Sequence, residues 1–273
     1  MTPLYSSRSQ YPARSYTVLT AVKPRVGSLL RFSPLTLDDV PRILPYLGCS
    51  TSRTCDFTVG GLLMWTGYFN YTYAIHNDTL YIKGVTEDDV TRPAFSLPVG
   101  KAPLHESVAL LRDYCRDSGC MPLVFSAVPE EYVGPLRELG ATQVTPLDDW
   151  GDYLYDAEAL ASLSGKKLGK KRNHVNRFFA DNPGYSFEPL TSANLDAVTA
   201  FYRDTHLPLS KPALADVERE QVMHVLAHLD RYGFEGAVLS TPADGIVAFT
   251  LGEVIGDTLY VHIEKMNHLV NGA

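Results

Sequence analysis

No stretch of this 273-residue chain is apolar for long enough to cross a bilayer. A membrane-spanning helix needs about 18–20 apolar residues in a row, and the run around Leu62-Leu63-Met64-Trp65 is far shorter. Cysteine is scarce as well. Only Cys49, Cys55, Cys115 and Cys120 are present, and neither local pair has the C-x-x-C spacing of a zinc knuckle or redox motif. With no secretory signal in view, they read as reduced thiols of a cytoplasmic protein. Also missing are G-x-x-x-x-G-K-[ST], G-x-G-x-x-G and G-x-S-x-G. Their absence removes support for the two common Gly-rich phosphate cradles and for a hydrolase nucleophile elbow. Acid is missing from residues 1–37, which nevertheless carry Arg8, Arg14, Lys23, Arg25 and Arg31. An organelle transit peptide has that look. A basic, disordered tail over residues 1–31, or an upstream start codon, is the plainer reading and the one taken.

What is present is an ordinary globular balance, 45% hydrophobic and 20% charged, with a net charge of −7. The acidic balance argues against general affinity for nucleic acid or membranes, so any polyanion site must be local. One stretch stands against it. Gly165-Lys166-Lys167-Leu168-Gly169-Lys170-Lys171-Arg172-Asn173-His174-Val175-Asn176-Arg177-Phe178 gathers six Lys and Arg, and without them the chain would sit at −13.

Apolar periodicity divides the chain into two parts, a first domain over residues 32–150 and a second over 151–273. In the first, Ser33 to Val40 leads into a helix through Leu47. Tyr71 to Ile75 and Thr79 to Lys83 form a hairpin about His76-Asn77-Asp78. Then follow a strand over 94–99, a helix over 104–118 with Val108, Leu111 and Cys115 on one stripe, a buried strand over 122–128, a helix over 130–139 and a strand over 141–146. That alternation is an α/β signature with a partly parallel sheet. The second part has the basic helix, helices over 192–203 and 215–231, and a meander over 236–240, 246–254 and 258–264, with turns at Pro242 to Gly245 and at Gly256-Asp257. Asp-Thr-Leu-Tyr recurs at 78–81 and 257–260, in line with two related halves.

On a helical wheel at about 100° per residue, Leu168, Val175 and Phe179 share one direction, with Phe178 at the edge of the stripe. Lys166, Lys170, Asn173 and Arg177 form a polar ridge about 180° away, while Arg172 lies about 40° from the apolar centre. The ridge is either a solvated face or a platform for phosphates. A guanidinium near a buried stripe must find a carboxylate or an anion, and Glu264 is the candidate partner for Arg172. Alternation in a strand places Tyr260, His262 and Glu264 on one face, where a His and a carboxylate can act as base and orienter or form a polar sheet face. His224 and His228 have i, i+4 spacing without a third ligand, so no metal site is expected. Trp65, Tyr68, Phe69, Tyr71 and Tyr73 cluster as core or, alternatively, as a ligand wall.

These residues bear a family resemblance. Asp152-Tyr153-Leu154-Tyr155, Leu160, Leu163, Gly165 to Leu168, Lys170 to His174 and Arg177-Phe178 resemble the central motif of bacterial proteins similar to the C-terminal domain of phosphatidylglycerol lysyltransferase. His262-Ile263-Glu264-Lys265 looks like a second motif, and Trp65, Leu97 to Gly100 and Val128 to Glu131 fit as well. The resemblance runs from about residue 32 to the end. It implies an α/β (α+β) fold of two tandem acetyltransferase-like (GNAT-like) domains with mixed sheets, the second C-terminally truncated at Asn271-Gly272-Ala273. Relatives include enzymes that move an amino acid from aminoacyl-tRNA to a lipid or peptide. Pro98 to Pro103 depart from the [RQ]-x-x-G-x-[GA] loop that holds the pyrophosphate of acyl-CoA in such domains.

The resemblance therefore implies an aminoacyl- or acyl-transferase. Glu264 or His262 would be the catalytic base. Lys166, Lys170 and Arg177 would hold tRNA phosphates, with Lys171, Arg172 and Asn173 at the inner end of the site. No resident cofactor is expected. Aminoacyl-tRNA or acyl-CoA would be the donor substrate, and tRNA or a small anion the partner, with no membrane insertion. The alternative is a catalytically silent module for a small anion or peptide, marked by a locked Arg172–Glu264 pair with no pocket beside it.

Overall fold

The computed structural model describes residues 14–19, 28–119, 121–206 and 213–270. The chain forms two compact units, Met1–Leu154 and Tyr155–Ala273. The first contains β1 (Arg14–Leu19), β2 (Ser33–Pro34), α1 (Val40–Leu47), α2 (Val59–Leu63), α3 (Thr66–Phe69), β3 (Thr72–His76), β4 (Thr79–Val85), β5 (Pro93–Phe95), β6 (Val99–Gly100), α4 (Leu104–Asp117), β7 (Leu123–Pro129), α5 (Glu130–Glu138) and β8 (Ala141–Pro146). The second contains α6 (Ala157–Ser162), α7 (Gly169–Asp181), β9 (Ser186–Pro189), α8 (Leu195–His206), α9 (Ala213–Ala227), α10 (Leu229–Tyr232), β10 (Glu235–Thr241), β11 (Gly245–Ile255) and β12 (Thr258–Met266). No helix among the described residues is long and apolar enough to cross a membrane.

The first sheet has the order β2-β3-β4-β5-β7-β1-β8, with β6 paired to β4. It is mixed: β5 meets β7 in parallel at Phe95 and Phe125, while the other ladders are antiparallel. Every residue of β7 is buried, as a strand with both faces covered requires. One cover is α4, whose Val108, Leu111 and Cys115 join Tyr81, Phe95, Phe125 and Leu136 in one apolar cluster. Burial pushes the Cys115 thiol up to about 12. Phe69 is the buried centre of the aromatic cluster, stacked on Tyr71 at 5.4 Å and edge-on to Trp150 at 6.0 Å. Core packing, not a ligand wall, accounts for it. Cys49, Cys55 and Cys115 form no disulfide, and Cys120 lies outside the described residues.

The expectation of a disordered tail over 1–31 departs from the structure at β1. This strand lies between β7 and β8 and pairs antiparallel with both, Arg14 against Pro129 and Ser15 against Pro146. The connection from β7 through α5 to β8 leaves room for one strand, and β1 fills it with two ladders of backbone hydrogen bonds. Pairing across more than a hundred residues leaves no mark in local composition.

The second unit's sheet has the order β12-β11-β10-β9, and all its ladders are antiparallel. Val247, Phe249, Leu251 and Ile263 are buried, and Phe249 meets Phe201 and Tyr202 of α8 edge-on. The single helix expected over 215–231 is broken at His228, whose ψ of 33° interrupts it before α10. His228 Nδ1–H donates to the His224 carbonyl at 3.0 Å, and His224 Nδ1 bonds the Tyr232 hydroxyl at 3.0 Å. The histidine pair is thus occupied with closing the helix end.

Candidate functional site

The basic helix starts later than the sequence suggests. Lys166 to Leu168 form a turn, and α7 begins at Gly169. Its first long bond runs from the Arg172 N–H to the Leu168 carbonyl at 2.9 Å. Lys166, Lys170, Lys171, Asn173 and Arg177 are all exposed. Arg177 pairs with Asp181 one turn on at 3.3 Å, with both side chains more than half exposed. An exposed pair of this kind leaves the charge available to a stronger partner. Lys171 Nζ sits 5.8 Å from the centre of the Tyr155 ring, within cation–π range. The wheel mistook the two phenylalanines: Phe178 is 2% exposed and Phe179 is 45% exposed. With the helix starting at Gly169, the buried stripe turns toward Phe178.

Arg172 does not meet Glu264. Its Nη1 donates to the carbonyl of Leu163 at 2.5 Å. Leu163 caps α6 in the left-handed region, φ 47°. A helix end offers unsatisfied carbonyls and the negative end of the dipole, and a guanidinium answers both. The side chain that geometry marked as needing an anion is satisfied by backbone.

Glu264 lies elsewhere in the second unit, on a cavity of about 470 Å³ over the sheet of β9 to β12. Phe187, Ala237, Leu239, Ala248 and Met266 supply its apolar walls. Their order follows from register. Phe187, Leu239, Ala248 and Met266 form one row across the four strands, and Ala237, Thr250 and Glu264 form the next. Glu264 and Thr250 are direct cross-strand neighbours, so a carboxylate and a hydroxyl share the cavity. Lys265, one residue on, also borders the cavity, and its Nζ donates to Glu218 of α9. Among the described residues Glu264 makes no ion pair, so the partnership expected with Arg172 is absent.

His262 does not share Glu264's face, contrary to strict alternation. The ladder shifts between Leu251 and Gly252: Leu251 pairs with Ile263 but Gly252 with Val261, leaving His262 as the extra residue of a β-bulge. The bulge turns its ring onto Glu253, Nε2 to Oε1 at 2.8 Å, with the side chains 7% and 6% exposed. Phe234 stacks on the ring at 5.2 Å and 20°. The bulge forms where Gly252 lets β12 come close, since a Cβ there would meet the Tyr260 carbonyl oxygen at 2.3 Å. His262 therefore holds β12 in place and does not reach the cavity.

Sequence reasoning missed Glu253, Thr250 and Phe187. Thr250 could have been found by folding the meander about Gly256-Asp257 and counting a one-residue bulge. Glu253 could not, because its register partner is Tyr260 and only the bulge turns the His262 ring toward it. Among the described residues, no group of three or more His, Cys, Asp or Glu could hold a metal ion.

The sequence matches the family described as phosphatidylglycerol lysyltransferase, C-terminal, over residues 49–273. No curated protein matches it. Among solved structures, a conserved protein of unknown function from Bacteroides thetaiotaomicron has the same fold, with a TM-score of 0.79 at 25% identity, over 90% of this chain and 83% of that one. The structure of L-PGS from Bacillus licheniformis aligns with a TM-score of 0.47 at 14% identity, over 72% of this chain and 59% of that one.

Proposed function

Because the chain belongs to the phosphatidylglycerol lysyltransferase C-terminal family, we propose that it is an aminoacyl- or acyl-transferase on paired acetyltransferase-like halves, with aminoacyl-tRNA as donor. The observation that carries this reading is Glu264, an exposed carboxylate on an apolar cavity. A base must meet its proton within hydrogen-bond reach, and a carboxylate locked to Arg172 would not be available. Glu264 takes the proton from an acceptor amine or hydroxyl as that atom attacks the ester carbonyl. The carbonyl carbon gains the new bond and loses its bond to the tRNA 3′ oxygen, which leaves with the proton that Glu264 took and now returns. In this reading the Thr250 hydroxyl, cross-strand neighbour of Glu264, donates to the developing oxyanion. Lys166, Lys170 and Arg177 hold phosphates, with Lys171 and Asn173 beside them. Arg172 and His262 act by positioning α7 and β12.

Acyl-CoA is the weaker donor. Pro98 to Pro103 lack the pyrophosphate pattern, and two of their N–H groups are spent within the fold. Lys101 N–H donates to the Asp78 carbonyl and Ala102 N–H to Thr79 Oγ1.

The test is tRNA binding across a salt series. The wild type should give a log–log slope of about −2, and reversing Lys166, Lys170 and Arg177 should flatten it. No binding at low salt would move the assignment to the silent binding module.

A further inference from the structure

Three exposed aromatic rings lead from the end of the basic helix to the cavity. Phe179, Tyr185 and Phe187 are 45%, 39% and 67% exposed. Phe179 and Tyr185 lie almost parallel, with centroids 4.8 Å apart and planes at 15°. Phe178, buried, contacts both at a tilt and anchors them. The turn between them is fixed by backbone: the Asn182 amide donates to the Phe178 carbonyl, the Tyr185 N–H to the Asn182 carbonyl, and Gly184 takes φ 88°. Two residues beyond Tyr185, Phe187 is a wall of the cavity that holds Glu264.

Core packing explains Phe178 but not the other three, which leave apolar faces in water. The helix that carries Phe179 also presents Lys170, Lys171 and Arg177 to solvent, in a chain of net charge −7. Open π-faces beside fixed cations suit unpaired nucleotides: the cations follow the phosphates and the rings stack with the bases. A duplex has its base faces covered and gains nothing from the rings. The geometry points to a stacking track for the unpaired 3′ end of an RNA, with the Phe179–Tyr185 pair under one base and Phe187 directing the terminal residue toward Glu264. This rests on the transferase reading of the cavity and names the part of the substrate that the aromatic row recognises.

The experiment compares an RNA hairpin carrying a four-nucleotide unpaired 3′ end with the same hairpin made blunt. The wild type should bind the first at least about fivefold more tightly. The double variant Phe179→Leu/Tyr185→Leu keeps apolar cover over Phe178 but has no π-face. It should bind the two hairpins equally, with the salt slope unchanged. Equal binding of both hairpins by the wild type, or a preference that survives in a folded double variant, would overturn the stacking track and leave the charge platform standing. If neither hairpin binds at low salt, the track and the transferase reading fall together. The wild-type comparison decides even if the variant does not fold.

Discussion

His262 and Glu253 meet across a β-bulge, ring nitrogen to carboxylate at 2.8 Å, in a site closed to solvent. The contact holds together the strand that carries Glu264. His262→Phe keeps a ring for Phe234 to stack on but removes the hydrogen bond. It should lower unfolding stability by about 1–3 kcal/mol in urea titration. Combining it with Glu253→Leu should recover part of that loss, since two neighbours in one bond are not additive. A stability unchanged by the single substitution would deny the bulge its latch.

Glu264→Gln separates chemistry from folding. The side chain is exposed, so stability should stay within about 0.5 kcal/mol of the wild type. Transfer activity should fall about 10²–10⁴-fold if its carboxylate is the base. His262→Phe, by contrast, should impair activity only as far as it loosens β12. Equal rates for Glu264→Gln and the wild type would remove the base from the mechanism.

Arg172→Ala takes the donor from the Leu163 carbonyl. A hydrogen bond from a charged donor at a helix end predicts a loss of about 1.5 kcal/mol, read by denaturant midpoint. Arg172→Lys should not restore it, because the ammonium lacks the guanidinium's reach and fork. If the role were phosphate binding instead, stability would hold and the salt slope of tRNA binding would change.

The folded state holds the His224 imidazole below its ordinary value of 6.5, chiefly through burial, with His228 and Arg231 adding repulsion. As pH falls through 6.5 the unfolded chain takes this proton first. The stability His224 contributes is thus present above that pH and lost as pH falls toward the depressed folded value. Thermal midpoints of the wild type should drop over that interval, and those of His224→Gln should drop less. Parallel curves would reject the linkage.

Thiol labelling tests the packing of the first unit. Cys49 is exposed, while Cys115 is buried with its thiol pushed up to about 12. Iodoacetamide at neutral pH should modify Cys49 and leave Cys115 unmodified until denaturant is added. Labelling of Cys115 in the native protein would contradict the position of α4 against β7.

Elements with a strong local period were legible before any coordinates. The Val108, Leu111 and Cys115 stripe of α4, the continuous apolar run of β7 and the hairpin about Asn77-Asp78 all lie where the spacing put them. The placement of the candidate site residues was legible in part. Glu264 lies on a cavity, and the exposed cations lie on or just before α7. What the sequence hid depends on distant partners. One extra residue in β12 moved His262 off the face of Glu264, and no propensity records a bulge. Arg172 was matched with a carboxylate because side chains can be counted in a sequence, whereas the carbonyl it uses becomes available only when α6 ends in a left-handed residue. The buried stripe of α7 was placed off-centre because its first turn is not helical.

The strand β1 has a consequence for how the protein comes into being. Its two neighbours, β7 and β8, are made more than a hundred residues after it, so during translation Arg14 to Leu19 emerge with no ladder to join. Those contacts are among the most distant in the chain, and distant pairings form slowly. The first sheet can gather its middle early but closes only once Pro146 has left the ribosome. Until then two bare strand edges and a waiting partner are exposed together, which makes this the interval in which the nascent chain most needs protection from its neighbours.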